Sequence, residues 1–218
     1  MFAGKLPAKK LFKNRKGIVG VEAAIVLIAF IIIAAALSYV VINMGFYTTQ
    51  KTKETMEAGL EESTTALQLD GVVTAKTNDT SPHILYILVP VKLSSGKGAV
   101  DLGENSVVVS VYLPRATLMN IYKGAVSATS SNWNALITAL NLANNNAKFA
   151  IYNGDGDTVL EANEKAFLVI RLNSTDTKYM LGEYETIKIE VRAAKGAALT
   201  VVRTAPGGLK EDSFIDLG

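Results

Sequence analysis

Cysteine is absent from the 218 residues, and histidine occurs once, at His83. The absence of cysteine excludes disulfide frameworks, thiolate metal sites and cysteine nucleophiles, and a single histidine excludes multi-histidine zinc sites. Acidic residues are missing from residues 1–17, which carry Lys5, Lys9, Lys10, Lys13, Arg15 and Lys16. Those six leave 16 of the 22 basic residues against all 20 acidic ones, so the rest of the chain is formally −4 while the whole is +2. A basic leader on a mildly acidic body offers no basic patch for nucleic acid. Charge is also nearly missing from Ile18 to Gly45, where Glu22 is the single formal charge in 28 residues. No second stretch approaches the roughly 18 consecutive apolar residues that read as a spanning helix, which excludes a polytopic membrane protein. Nucleophile elbow, P-loop and dinucleotide fingerprint are absent too, so no enzyme reading has support.

What is present is ordered. Basic residues directly before an apolar segment hold that end on the cytoplasmic side of a membrane. The apolar stretch is about twice the 7–15 residues of a secretory signal core, and no A-x-A-like cleavage site follows it. Instead Gly17 stands between the basic block and Ile18, with Glu22 five residues into the apolar run counted from Ile18. These features resemble the class III, prepilin-type leader of type IV pilins and archaeal flagellins. Over Lys16 to Lys53, through Asn43-Met44-Gly45 and Thr48-Thr49-Gln50-Lys51, the resemblance is to the archaeal flagellins. It implies cleavage between Gly17 and Ile18 by a prepilin-type leader peptidase, and a filament subunit whose N-terminal helix forms the shaft core. A carboxylate at Glu22 is costly inside hydrocarbon or packed protein unless it is paired or neutralised. Cleavage supplies a cation, the new α-amino group of Ile18, and the resemblance implies that the pairing acts between neighbouring subunits.

Residues 18–69 are expected to form one long helix. From Phe46 to Leu69 there is no proline, and Met56, Leu60 and Leu67 recur at i, i+4 and i+11 among charged residues, which predicts an amphipathic continuation resting against the chain's own globular domain. Residues 70–218 change to β-branched and aromatic runs bounded by turn residues, at His83–Val89, Ser106–Leu113, Lys148–Tyr152, Lys165–Leu172, Tyr184–Val191 and Ala198–Arg203. They predict an α+β chain whose outer domain is an antiparallel β-sandwich, immunoglobulin-like in outline. Trp133, Leu136, Ile137 and Leu140, following Ser130-Ser131, predict one short helix within it.

The sharpest local motif is the run from Asn153 to Glu164. Asn153, Asp155, Asp157, Glu161 and Glu164 stand at positions 1, 3, 5, 9 and 12 of a calcium loop, with the Val159 carbonyl at position 7. Asn at position 1 and Thr158 at position 6 depart from the usual pattern, and the flanks are strand-like, so the expected role of Ca²⁺ is structural. The alternative is an ordinary Asx-Gly turn with solvated acids. Asn78-Asp-Thr80 and Asn173-Ser-Thr175 are sequons in polar, turn-like stretches, which makes Asn78 and Asn173 candidate glycosylation acceptors. His83 has no carboxylate or metal-ligand partner in sequence and reads as structural or solvent-facing.

The resulting expectation is a non-enzymatic structural subunit of an extracellular helical filament used for archaeal swimming. It is held in the cytoplasmic membrane before assembly and polymerises with itself or with related subunits. Two rivals share parts of this reading: an adhesive type IV-like pilin, and an uncleaved, membrane-anchored extracellular binding domain.

Overall fold

The computed structural model describes residues 16–63, 66–95, 98–128 and 132–218, with side chains from Gly20 onward. The leader residues before Lys16, and Ser130-Ser131, lie outside the described residues. The chain divides into two units, Met1–Met56 and Glu57–Gly218.

Helix α1 is Lys16–Ser63, about 72 Å of unbroken rod at 1.5 Å per residue. Much of its first half is Ile and Val, residues of modest helix propensity, so an intrahelical hydrogen-bond ladder suits an apolar setting better than propensity alone would favour. The rod ends six residues before the expected Leu69. Glu61 and Glu62 place negative charge at its negative end, with no basic residue in the last turn, and that weakens any continuation. A strand also serves the next leucines better. Leu67–Leu69 forms β1, antiparallel to the end of β3, Ile84–Leu93, and strand periodicity turns Leu67 and Leu69 to one face. Leu67 is thereby buried, whereas Met56 and Leu60 are 69% and 66% exposed. The proposed stripe of Met56, Leu60 and Leu67 is therefore split between the helix and β1.

The remaining strands are β2 Thr74–Thr77, β4 Val100–Asp101, β5 Val107–Tyr112, β6 Thr117–Leu118, β7 Tyr122–Ala128, β8 Asn146–Tyr152, β9 Val159–Leu160, β10 Lys165–Arg171, β11 Thr186–Ala193, β12 Leu199–Thr204 and β13 Phe214–Asp216. The larger sheet runs β13-β2-β3-β10-β8-β7, with β1 also on β3; the smaller runs β12-β11-β5-β6, and β4 pairs with β9. Apolar residues at alternate positions of β3, β8 and β10 meet those of β5 and β11 in one core that includes Ile87, Val89, Phe149, Leu168, Val109 and Ile189. This is the expected sandwich. In β11 the residues between the core positions are polar or exposed, as befits a sheet with one wet face.

The larger sheet is covered on its other face as well. Helix α2, Trp133–Leu140, buries Leu136 and Leu140 against Ala150 and Val169. That second layer explains why β10 reads as a nearly continuous apolar run, since Leu168 and Ile170 face the sandwich core while Val169 and Phe167 face α2. The cap of α2 is Asn132, whose side chain accepts a hydrogen bond from the Asn134 N–H at 3.2 Å. α2 also joins β7 to β8, which run parallel, the one departure from antiparallel order among the described residues. Parallel neighbours need a crossover of about a dozen residues or more, and α2 with its flanks supplies it.

Pro90 sits within β3 beyond the boundary that a proline suggests. It is tolerated because β2 pairs only as far as Leu88 and β1 begins at Val91. Between them the Asp70 N–H donates to the Pro90 carbonyl at 2.9 Å, and no ladder partner needs the N–H that proline lacks.

Candidate functional site

Seventeen large apolar side chains between Val21 and Tyr47 are half or more exposed, among them Ile25, Phe30, Leu37 and Tyr39. A helix apolar on all sides is normally buried. Exposing this surface to water is strongly unfavourable, at roughly 1.5–3 kcal/mol per large side chain left unburied, so α1 is built to be covered. Gly20–Ser63 is the one helix among the described residues that is long and apolar enough to cross a membrane.

Gly17 and Ile18 lie in the first turn of α1. Ile18 and Glu22 are four residues apart, so they fall on one face of the helix. Glu22 lines a shallow hollow with Ala23, Val26, Leu27 and Phe30.

The 153–164 loop closes on its own backbone. Asn153 and Gly156 take left-handed conformations, with φ of 63° and 108°. An Asp155 carboxylate oxygen accepts from the Asp157 N–H at 3.2 Å, and Asp157 accepts from the Val159 N–H at 2.8 Å. Glu164 is buried and accepts from the Glu161 N–H at 3.0 Å. Val159 belongs to β9 and pairs with Asp101. Asp155, Asp157 and Glu164 are thus close in the chain but separately engaged. No group of three or more acidic or histidine side chains arranged for a metal ion occurs among the described residues.

Asp101 organises this corner. Its carboxylate accepts from Ser106 Oγ, from the Gly103 N–H at 2.8 Å and from Thr158 Oγ1 at 3.3 Å. The Ser106 and Gly103 hydrogen bonds hold its pKa below the ordinary 3.8. The signal for it was the Asp101-Leu-Gly103 spacing, an Asx-turn pattern. Its role depends on Thr158, which lies 57 residues away in the chain.

Both sequons lie in surface turns after strands. Asn78 follows β2, its Nδ2 donating to Thr80 Oγ1 and Ser81 Oγ at 3.3 and 3.2 Å. Asn173 follows β10, its Oδ1 accepting from the Thr175 N–H at 2.9 Å and from Asn144 Nδ2 at 3.3 Å. His83 is half-buried, and its backbone N–H closes a turn onto the Ser81 carbonyl at 2.8 Å.

The sequence matches a family model described as archaeal-type flagellin over residues 17–203. It is 44% identical over 209 residues to probable flagellin 1 of Aeropyrum pernix, covering 94% of this chain and all of that protein. It is 31% identical to probable flagellin 2 of Archaeoglobus fulgidus, over 97% of this chain and all of the relative. Among solved structures, a subunit of the archaeal flagellum of Methanospirillum hungatei matches with a TM-score of 0.51 at 25% identity, covering 87% of this chain and 94% of that one. The crystal structure of flagellin FlaB1 from Methanocaldococcus jannaschii matches in fold with a TM-score of 0.57 at 16% identity, over 69% and 95%.

Proposed function

The chain belongs to the archaeal-type flagellin family and is a structural filament subunit of the archaeal flagellum, and from this we propose that copies of α1 pack together as the filament core while the sandwiches face outward. The observation that carries the reading is the helix Gly20–Ser63, apolar over its first half, where its large apolar side chains are half or more exposed. A membrane could cover such a helix before assembly, and other copies of the same helix could cover it afterwards. The filament is an extracellular structure, and the precursor is proposed to wait in the cytoplasmic membrane with its basic leader inside.

A prepilin-type peptidase then cuts after Gly17. In the uncut chain the Ile18 nitrogen is an amide within the first turn of α1 and carries no charge. Cutting makes it an ammonium at the end of the rod, available to the Glu22 carboxylate of a neighbouring copy. No catalytic role is assigned. The test is intact-mass and N-terminal sequence analysis of subunits sheared from the cell surface, with a chain beginning Ile18-Val19-Gly20 expected. Subunits that retain residues 1–17 would reject the cleavage and favour a permanent anchor. The same spectra test glycosylation at Asn78 and Asn173, as added mass on the peptides that contain them.

Calcium in the 153–164 loop is a separate proposal. Its support is the set of Asp155, Asp157, Glu161 and Glu164 within twelve residues, next to the flexible Gly154 and Gly156. Binding requires Asp155, Asp157 and Glu164 to exchange their backbone N–H partners for the ion, so the site would form with the ligand.

A further inference from the structure

Asn153-Gly154 is the only asparagine–glycine pair in the chain. A backbone nitrogen can attack the side-chain amide of the residue before it, and the attacking residue's own side chain is what usually stands in the way. Glycine has none. Asn153 directly follows β8, is exposed, and takes a left-handed φ of 63°. Its side-chain amide and the Gly154 N–H form no hydrogen bond among the described residues, so neither reacting group is held elsewhere. Asn173 differs, because its Oδ1 accepts from the Thr175 N–H and from Asn144 Nδ2, which ties its amide down. The fold also keeps the glycine in place. A Cβ at position 154 would come within 2.9 Å of Ile151 Cγ2 and 3.4 Å of Glu164 Oε1, and Ile151 belongs to the sandwich core. A larger residue that would shield Asn153 therefore does not fit without moving that core.

We propose that Asn153 is a site of spontaneous self-modification, deamidating in the folded chain to aspartate and isoaspartate. The Gly154 nitrogen gives its proton to solvent and bonds to Asn153 Cγ. The Cγ–Nδ2 bond breaks, ammonia leaves with a proton from solvent, and a succinimide ring closes. Water then opens the ring at one of its two carbonyls. Breaking the bond between Cγ and the Gly154 nitrogen leaves aspartate on an unaltered backbone, whereas breaking the bond from that nitrogen to the α-carbonyl carbon leaves isoaspartate, with the chain routed through Cγ. One water is consumed and one ammonia released, and no enzyme or oxidant takes part. Either product adds a fifth acid to Asp155, Asp157, Glu161 and Glu164, and the aspartate form supplies the carboxylate usual at position 1 of a calcium loop. The chemistry itself does not depend on whether the loop binds calcium.

The test follows the full chain, folded in mild detergent and separately unfolded in guanidinium, during incubation at mildly alkaline pH. Trypsin then releases Phe149–Lys165 as one peptide that holds both Asn153 and Asn163. Asn163 precedes Glu164 and serves as the internal control. Fragment masses locate the rise that accompanies exchange of an amide for an acid, and chromatography separates the aspartate from the isoaspartate product. In the folded chain Asn153 is expected to convert about tenfold or more faster than Asn163, because Gly154 carries no side chain to obstruct the attack, and the converted peptide is expected to elute as two species of equal mass. Asn153→Gln, whose longer side chain cannot close the same ring, should show no comparable rise at position 153. Conversion in guanidinium with none in the folded chain overturns the proposal, since the loop would then protect the residue. Equal rates at Asn153 and Asn163 overturn it as well, and so does an undiminished rise at position 153 in Asn153→Gln.

Discussion

Removing residues 1–56 is expected to leave Glu57–Gly218 folded and monomeric. The core of the sandwich is built from Leu67 and residues after it, so the cut takes nothing from it. It takes away the surface that drives association. Seventeen large apolar side chains, about 60% exposed on average, represent on the order of 20 kcal/mol of gross burial at about 2 kcal/mol per fully buried side chain. That exceeds the roughly 4–15 kcal/mol that association costs. The remaining unit exposes eight large apolar side chains among its described residues, including Leu60, Met119, Tyr184 and Phe214. Any one contact could cover only some of them, for roughly 3–5 kcal/mol, which falls at or below that cost. Sedimentation velocity at about 50 µM, well below a millimolar dissociation constant, should therefore give a single monomeric boundary. A dimer or larger species persisting at micromolar concentration would refute the reasoning and move the main assembly contact to the sandwich.

Glu22→Gln should leave the melting of Glu57–Gly218 unchanged and lower filament yield by about tenfold or more, the equivalent of losing at least 1.4 kcal/mol from one contact; yield counted by microscopy at normal levels would remove the proposed ion pair. Asp70 bridges Lys92 at 2.7 Å and Lys165 at 2.6 Å, joining the chain after β1 to β3 and β10, and its pKa is held below the ordinary 3.8, chiefly by the Lys165 hydrogen bond and then by Lys92. Asp70→Asn should cost about 1–2 kcal/mol and lower the thermal midpoint of that unit by about 3–6 °C. A carboxylate with a depressed folded-state pKa stabilises above its unfolded value and loses that contribution as pH falls through the folded one, so the difference should be present at pH 7 and close towards about pH 2; a constant difference across this range would mean that charge is not its source. Calcium at a hundredfold excess over its dissociation constant should stabilise the same unit by about 2.7 kcal/mol, raising its melting temperature by about 5–10 °C, and Asp155→Ala with Glu164→Ala should remove the rise. Equal melting points with calcium and with chelator would return the loop to a set of Asx turns.

The parts of this protein legible in the sequence are those whose physics is local. A long apolar run broken by a single charge and preceded by basic residues and Gly17 is a helix that must be covered, whatever the rest of the chain does. Strands with one wet face, such as β11, announce themselves by alternation. The six long runs read from residue types alone all correspond to strands, because β-branched residues at that density suit a pleated surface. Tertiary contacts decided the rest. The end of α1 could not be read from helical spacing, because Leu67 is buried by pairing with Leu93 of β3, 26 residues along the chain. Short strands such as β4, β6 and β9 carry two residues each, too few for a periodic signal, and exist only because a partner strand is already in place. Pro90 could continue β3 because a gap between two neighbouring strands happens to meet its missing donor. The acidic loop shows the same division: the sequence places its carboxylates within twelve residues, but the groups they engage are set by the backbone folded around them, and Asp101 and Thr158 are brought together only by the pairing of β4 with β9.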